Sequence, residues 1–258
     1  MTSRGSSIGG NVILSRQLPT DLLSIPVGGV GDRQWRVETG FARTFDLKDL
    51  DQGLVAAAAR RGKFAVSIGA SQFGQRDFYT EQTAKAALMY CLSSLTGGIA
   101  ASYYRVSFGG IYAPLATSGV GAALAWRQPR FVVAISGDNL NKPRLYSAAV
   151  PFQSRYNAQV EFVSNPQLST LARATLQEAE RPQFGLGQRI GIGNRHAIMW
   201  GLSSAPLVYG GGLELWFNRM SICYAATYHP VLGLSQTLTV SVGSMLFAKE
   251  RGTGVLDR

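Results

Sequence analysis

Alternation of apolar and polar residues is the feature that most limits how this chain can fold, and it recurs in segments of about ten residues between turns. In the segment 154–163, with the sequence SRYNAQVEFV, every second residue from Tyr156 to Phe162 is apolar and the residues between them are polar. A period of two places the two sets of side chains on opposite faces of a β-strand. Segments of this length and pattern are typical of a membrane-spanning β-barrel.

We predict about fourteen strands within residues 35–247, which makes the fold class an all-β, closed antiparallel transmembrane β-barrel. Residues 1–34 are rich in Gly, Ser and Pro and are predicted to be an irregular N-terminal segment, a candidate plug for the lumen. Residues 248–258 form a polar tail. The short turns at 61–63, 93–95, 128–130, 165–167, 193–196 and 218–220 mostly alternate with longer connections, and in outer-membrane barrels the short turns face the periplasm.

Composition favours a surface that meets something other than water. Only 16% of the residues are charged, against about 25% in ordinary soluble domains. The longest apolar run, at 53–59, is far shorter than the roughly 18–20 residues that a membrane helix needs, so a closed sheet is the remaining way to span a bilayer. A soluble β-sandwich with alternating strands is the competing interpretation.

Several other functions have no support in the sequence. The formal net charge of +10 raises nucleic-acid binding, but the basic residues are scattered and match no recognition motif, so we predict no nucleic-acid partner. The chain has neither a Gly-x-Ser-x-Gly elbow nor a Walker-type loop, and we predict that it is not an enzyme. Cys91 and Cys223 fit no metal-site spacing and fall on strands that are not neighbours, so we expect no disulfide, metal or cofactor.

Nine charged residues share the predicted polar face of the strands and are expected to point into the lumen. They are Arg36, Glu38, Glu81, Lys85, Arg155, Glu161, Arg173, Arg189 and Glu214. One interpretation is that they pair across a wet interior and stabilise it. The other is that the excess of arginine selects anionic solutes or steers carboxylates.

Residues near the strand ends suggest how the barrel meets the membrane. Aromatic residues there are expected to form a girdle at the interface: Trp35, Tyr90, Trp126, Phe131, Trp216 and Phe217. Arginines at the short turns are expected to contact anionic lipid headgroups: Arg60, Arg61, Arg130, Arg195 and Arg219. The run Gly210-Gly211-Gly212 is the one candidate for a strand bend that would open the wall sideways.

Several segments resemble a known family of barrels. The segment 69–90, GASQFGQRDFYTEQTAKAALMY, resembles the third strand, loop and fourth strand of FadL/PorV-type outer-membrane proteins, with Asp77 and Tyr79 in the loop context. The segment 136–143, SGDNLNKP, is similar to the Gly…Asn-Leu…Pro stretch that those proteins carry after a middle strand, and supplies Asn139 and Leu140.

Two further segments extend this resemblance to about residues 35–247. The segment 184–191, FGLGQRIG, is similar to the family's Gly-x-x-x-Arg-x-Gly strand and places Arg189 at the arginine. The segment 226–239, ATYHPVLGLSQTLT, is similar to the closing hairpin. The resemblance implies a fourteen-stranded barrel with an N-terminal segment that can plug the lumen, situated in a bacterial outer membrane.

The resemblance implies two functions. One branch of the family moves long-chain fatty acids or other hydrophobic compounds across the outer membrane, so the leading expectation is a channel for hydrophobic or small solutes. The PorV/PorQ/PorP-like branch serves type IX secretion, which makes a scaffold that binds secreted protein cargo at 138–152 the alternative. A third expectation is a soluble β-rich structural protein, because the first twenty residues lack the apolar stretch of a signal peptide and we expect no leader in this chain.

Overall fold

The computed structural model describes residues 3–15, 18–27, 35–75, 78–109, 113–146, 149–178, 180–193 and 195–244. Two short helices, α1 (Ser3–Ser7) and α2 (Pro19–Ser24), precede the sheet. The strands are β1 (Trp35–Arg43), β2 (Asp51–Arg61), β3 (Phe64–Gln75), β4 (Tyr79–Cys91), β5 (Leu95–Phe108), β6 (Leu115–Arg127), β7 (Phe131–Asp138), β8 (Arg155–Asn165), β9 (Leu168–Gln177), β10 (Gln183–Ile192), β11 (His196–Ser203), β12 (Val208–Phe217), β13 (Met220–His229) and β14 (Gly233–Gly243). Two 3-10 turns, Thr44–Asp46 and Lys48–Leu50, connect β1 to β2.

The strands close into a single antiparallel barrel. Each strand pairs with its neighbours in sequence, and β14 pairs with β1, from Arg36 opposite Gly243 to Arg43 opposite Gln236. The prediction of a closed antiparallel barrel of about fourteen strands is therefore confirmed. Closure removes every sheet edge, so the backbone hydrogen bonds of the wall are satisfied within the wall, as a bilayer requires.

The two faces of the wall differ in the way that the alternation predicts. Outward-facing aliphatic side chains such as Ile68 and Ile99 are 61% and 63% exposed, although they are large and apolar. Inward-facing residues on the same strands are small and buried; Ala65 is 1% and Ala100 is 7% exposed. An apolar outer surface and a filled interior are the arrangement of a barrel that faces lipid.

The two ends of the barrel differ in their connections. The connections at 62–63, 92–94, 128–130, 166–167, 193–195 and 218–219 all lie at one end, called the turn end below. The longest connection, 139–154, lies at the opposite end, called the loop end. Near the turn end, outward aromatic rings pack in pairs: Phe64 with Tyr90 at 5.0 Å between ring centroids, and Trp126 with Phe131 at 5.2 Å.

The core lies inside the barrel, between the wall and the N-terminal segment, which is the name used below for residues 3–27. Three apolar clusters join the segment to the wall, and each buried aliphatic side chain in them contributes about 1.5–3 kcal/mol. Their buried members are Val12, Leu14, Ile25, Val27, Ala125, Val132 and Ala134 in the first; Leu22, Ala58, Ala65, Ala87, Met89 and Ala100 in the second; and Ile8, Ile13, Leu171, Met199 and Cys223 in the third. The segment thus contacts several sides of the wall.

Local sequence explains why α2 begins where it does. Pro19 occupies the first turn, where its missing N–H costs no hydrogen bond, and the Asp21 carboxylate accepts a hydrogen bond of 3.0 Å from the Leu18 N–H. Leu22 faces the wall and is wholly buried. Within the described residues, no helix is long and apolar enough to cross a membrane.

Glycines in the wall provide the space for the N-terminal segment. A Cβ on Gly212 would lie 2.7 Å from the Ser7 Cβ, and a Cβ on Gly187 would lie 2.6 Å from the Ile8 oxygen, closer than nonbonded atoms approach. The suggestion that Gly210-Gly211-Gly212 marks a bend in the wall is wrong. The pairing of β12 with β11 and β13 is continuous through these glycines, and two of them, Gly210 and Gly212, leave room for Ser6 and Ser7 of α1.

Two predicted boundaries also need comment. The last strand ends at Gly243, and residues 245–247 at the end of the predicted barrel region lie outside the described residues. The polar tail at 248–258 lies outside the described residues, as do 28–34 of the predicted irregular segment.

We predict that Gly212→Val releases the N-terminal segment from its seat. Overpacking of this kind costs about 1–3 kcal/mol, so the segment should become roughly tenfold more susceptible to limited proteolysis in detergent. Gly211→Val is the matched control, because a Cβ on Gly211 would point outward and meet nothing closer than 4.0 Å. Equal cleavage of the two variants would show that the absence of a side chain at Gly212 is not what admits the N-terminal segment.

Candidate functional site

The lumen holds the nine charged residues that the alternation placed on its inner face, and the structure divides them into two groups. Six lie level with the N-terminal segment and are buried or half-buried: Arg36, Glu38, Glu161, Arg173, Arg189 and Glu214. The other three, Glu81, Lys85 and Arg155, lie on the half of the wall nearer the loop end. Glu38, Glu161 and Arg173 contact the segment, whereas Lys85 and Arg155 line open space.

Glu161 on β8 binds the N-terminal segment at Ser15. Its two carboxylate oxygens accept one hydrogen bond each, from the Ser15 N–H at 2.8 Å and from the Ser15 hydroxyl at 2.7 Å. Gln159 lies two residues earlier on the same face of β8. It accepts a hydrogen bond of 3.0 Å from the Val12 N–H and donates its own amide N–H to the Val12 oxygen. Glu161 is wholly buried, and a buried carboxylate needs such donors to offset its lost hydration.

Glu38 on β1 makes the equivalent contact with the start of α2. Its Oε2 accepts hydrogen bonds from the Thr20 N–H at 3.2 Å and from the Thr20 hydroxyl at 2.7 Å. Beside it, the Ser67 hydroxyl donates to the Pro19 oxygen at 3.0 Å. Since β1 and β8 are seven positions apart in a ring of fourteen strands, Glu38 and Glu161 hold the segment from opposite sides of the barrel.

Two arginines hold backbone oxygens of the same segment. Arg127 donates from Nη1 to the Leu14 oxygen at 3.0 Å and from Nη2 to the Val27 oxygen at 3.2 Å. Arg173 donates from Nη1 to the Gly10 oxygen. Arg127 and Gln159 were not among the predicted lumen residues, although the alternation places both on the polar face of their strands. The sequence did not single them out because their partners are backbone groups of the N-terminal segment, and the sequence of that segment has no repeating pattern.

Arg189 and Glu214 form a separate buried pair on β10 and β12. Arg189 Nε lies 3.7 Å from Glu214 Oε2, and the Arg189 guanidinium lies 4.9 Å from the centre of the Trp216 ring. The prediction that Trp216 belongs to the outer girdle is therefore wrong. Trp216 lies near a strand end, but it shares the inner face with Glu214, and its ring covers the buried cation.

An open cavity of about 660 Å³ lies above the N-terminal segment. The segment forms its floor through residues such as Asn11 and Thr20. On its walls, Lys85 reaches from β4 to Asp138 on β7 and forms an ion pair with a distance of 2.7 Å. Arg155, Asn157 and Arg173 line the wall formed by β8 and β9. We call this cavity the cup.

The connection 139–154 folds back over part of the cup. Phe152 stacks on the inward ring of Tyr104, with 5.0 Å between the ring centroids. The Tyr104 hydroxyl donates to Asn139 Oδ1 at 2.9 Å. Lys142 forms an ion pair of 2.6 Å with Glu178, and the hydrogen bond to this carboxylate raises the pKa of the Lys142 amine. These contacts tie the long connection to β5 and to the residue that follows β9.

The residues taken from the family resemblance do not form one site. Tyr79 donates a hydrogen bond of 2.5 Å from its hydroxyl to Glu81 at the loop end of β4. Leu140, the residue after Asn139, donates its backbone N–H to the Val120 oxygen at 2.9 Å. This bond continues the hydrogen bonding between β6 and the chain that follows β7. Arg189 is deep in the lumen, and Asp77 lies outside the described residues. Among the residues that the structure describes, no group of three or more His, Cys, Asp or Glu is placed to hold a metal ion.

We predict that Glu161→Gln loosens the N-terminal segment, because the amide loses the charge that strengthens both hydrogen bonds to Ser15. Hydrogen bonds to a charged group contribute about 1.5–3 kcal/mol, so amide hydrogen exchange of the peptide containing Val12 and Ser15 should become at least about tenfold faster. Glu81→Gln removes an equal charge that does not contact the segment and should leave this exchange unchanged. An unchanged rate in Glu161→Gln would show that the carboxylate does not hold the segment.

Comparison with known proteins gives a fold and no family. No protein-family model matches the chain, and no curated protein sequence matches it. The structure is similar to that of the toluene transporter TodX of Pseudomonas putida, with a TM-score of 0.67 and 10% identity over 94% of this chain and 96% of that one. The deltaS2S3 mutant of TodX, a monoaromatic hydrocarbon channel, gives a TM-score of 0.68 at 10% identity, covering 95% and 98% of the two chains.

A second outer-membrane protein shares the architecture more distantly. Omp33 of Acinetobacter baumannii gives a TM-score of 0.54 at 12% identity, covering 82% of this chain and 98% of that one. Identities this low establish a shared fold and carry no function by themselves. The chain therefore has the closed-barrel fold found in outer-membrane proteins, with its own N-terminal segment inside the lumen.

Proposed function

We propose that this chain is a bacterial outer-membrane channel for hydrophobic or small solutes, and that the N-terminal segment is the plug that closes it. The observation that carries the proposal is the way the lumen is filled. The segment is held by side-chain hydrogen bonds and small apolar clusters, and it contributes no strand to the wall. It can therefore leave its seat without breaking the barrel, and the cup above it is open toward the loop end.

Other features support the same proposal. TodX, which has a similar fold, is a toluene transporter. A relation to FadL/PorV-type proteins stays a prediction, and it agrees with the fourteen strands and with the position of the N-terminal segment. A soluble structural protein would need a polar outer face, whereas side chains such as Ile68 and Ile99 are exposed there. The alternative of a secretion scaffold would use the exposed Tyr146 and Val150 of the long connection, whereas Phe152 of the same connection packs against Tyr104 inside the mouth.

We expect a disulfide between the segment and the wall to lock the channel. The Ser7 hydroxyl lies 3.7 Å from the Met199 sulfur, and the sulfur of a cysteine at position 199 would lie one bond nearer its own backbone. In the variant Ser7→Cys/Met199→Cys, with Cys91 and Cys223 changed to Ala, a small shift of α1 toward β11 therefore brings the two thiols within bonding distance. In a liposome-swelling assay with arabinose, the reduced variant should admit the sugar and the oxidised variant should admit several-fold less. The single variant Ser7→Cys should not respond to oxidant.

Two results of this assay count against the proposal. Equal swelling in both redox states would show that solutes do not pass the seat of the segment. Absence of swelling in both states, with barrels that migrate as folded species on unheated gels, would show that the chain is not a channel for such solutes.

We also propose that the turn end lies among anionic lipid headgroups. Among the described residues, the exposed charged side chains at this end are basic: Arg61, Lys63, Arg130, Arg195 and Arg219. They lie next to the outward aromatic pairs, and aromatic rings prefer the level of the headgroups. Basic side chains near an anionic surface contribute about 1 kcal/mol each.

The lipid contact predicts a difference between the two ends of the barrel. The variant Arg61→Gln/Arg130→Gln/Arg219→Gln should bind phosphatidylglycerol at least about fivefold more weakly in native mass spectrometry, since three attractive charges are lost. The variant Arg105→Gln/Arg144→Gln/Arg181→Gln removes three charges at the loop end and should bind this lipid like the wild type. The same loss in both variants would point to net charge instead of a headgroup site.

A further inference from the structure

We propose that the cup binds a small organic anion, a carboxylate or a phosphate, through Arg155 and Arg173. This inference rests on the proposed channel function and names the class of solute. It starts from the lining of the cup, where nine of the seventeen residues contributed by the wall and the long connection carry charged or amide side chains, Lys85, Asn157 and Gln177 among them. A hydrocarbon in this space would remove water from these groups and give them no hydrogen bond in return, which opposes its binding.

The charges of the lining do not balance. It contains three cations, Lys85, Arg155 and Arg173, and two carboxylates, Asp21 and Asp138. Both carboxylates already have donors: Asp138 is 2.7 Å from the Lys85 amine, and Asp21 accepts the Leu18 N–H. The positive charge of the cup is therefore concentrated on the two arginines.

Neither arginine forms an ion pair with an acidic side chain in the described part of the chain. Arg155 lies at the loop end of β8, with its side chain exposed to the cup. Arg173 lies deeper on β9, where Nη1 donates to the Gly10 oxygen and Nε is buried with no acceptor among the described residues.

The two arginines face the cup from one stretch of wall. In the pairing of β8 with β9, Arg155 lies opposite Gln177 and Arg173 lies opposite Gln159, with Asn157 and Thr175 between them. Two like charges in a confined space repel each other, and an anion between them turns this repulsion into attraction on both sides. The planar guanidinium matches the paired oxygens of a carboxylate or phosphate, which gives charge-assisted hydrogen bonds in a fixed direction.

The test compares ligands that share a phenyl ring and differ in charge. Binding of benzoate, phenyl phosphate and uncharged benzamide to the full chain is measured by isothermal titration calorimetry in a non-ionic detergent at low salt. We expect the wild type to bind at least one of the two anions at least tenfold more tightly than benzamide. Benzoate alone would identify a carboxylate site, and phenyl phosphate alone would identify a phosphate site.

The variants locate the site. Arg155→Gln and Arg173→Gln should each reduce the preference for the anion several-fold, and the double variant should abolish it. Arg105→Gln is the matched control, because Arg105 is near the same end of the barrel, on β5, but points away from the lumen. A gel shift on heating confirms that each variant has a folded barrel.

Two outcomes would overturn the inference: anions and benzamide bind within twofold of each other, or the preference survives in the double variant. Neither depends on transport. If arabinose enters liposomes through the reduced Ser7→Cys/Met199→Cys variant but no anion is preferred, the proposed channel function is supported and the proposed solute class is wrong. If the anion binds but no solute enters in either redox state, the proposed anion site is supported and the proposed channel function is wrong.

Discussion

The pairing of β14 with β1 is the constraint on which the rest of the structure depends. A wall that faces lipid must satisfy every backbone N–H and C=O within the protein, and a ring of strands does so because it has no edge. Closing fourteen strands leaves a lumen wider than the side chains of the wall can fill. The chain fills part of this lumen with its own N-terminal segment and leaves another part open as the cup.

The contacts inside the lumen hold the segment firmly, and under the proposed channel function they are also the contacts that would be lost on its release. Glu38 and Glu161 are buried carboxylates, and each accepts a backbone N–H and a hydroxyl from a single residue of the segment. Such contacts require a defined geometry, so the seat is specific. They are also separate from the backbone hydrogen bonds between strands, so their loss would leave the strand ladder intact.

The wall was predictable because its information is local. Alternation within one strand tells which residues share a face, and it put Glu214 on the polar face of its strand without knowledge of any neighbour. Trp216 was assigned to the outside because it lies near a strand end, although its parity matches that of Glu214. The lesson is that, in a barrel, parity determines the face and position along the strand determines only the depth.

The site was less predictable because its contacts join distant parts of the chain. Gly212 in a strand is consistent with a bend, a bulge or a close neighbour, and only the position of Ser7 distinguishes them. Arg127 and Gln159 have the parity of lumen residues, but their partners are backbone groups of a segment with no repeating pattern. Such groups carry no sequence signal.

The opposite placement of Glu38 and Glu161 has a consequence for the order of assembly. Glu38 lies on the first strand, so the bond to Thr20 joins residues only eighteen positions apart. Ser15 and Glu161 are separated by 146 positions, and β12, which admits α1, comes later still. The seat of the segment is therefore complete only when the strands from β1 to β12 are all in place.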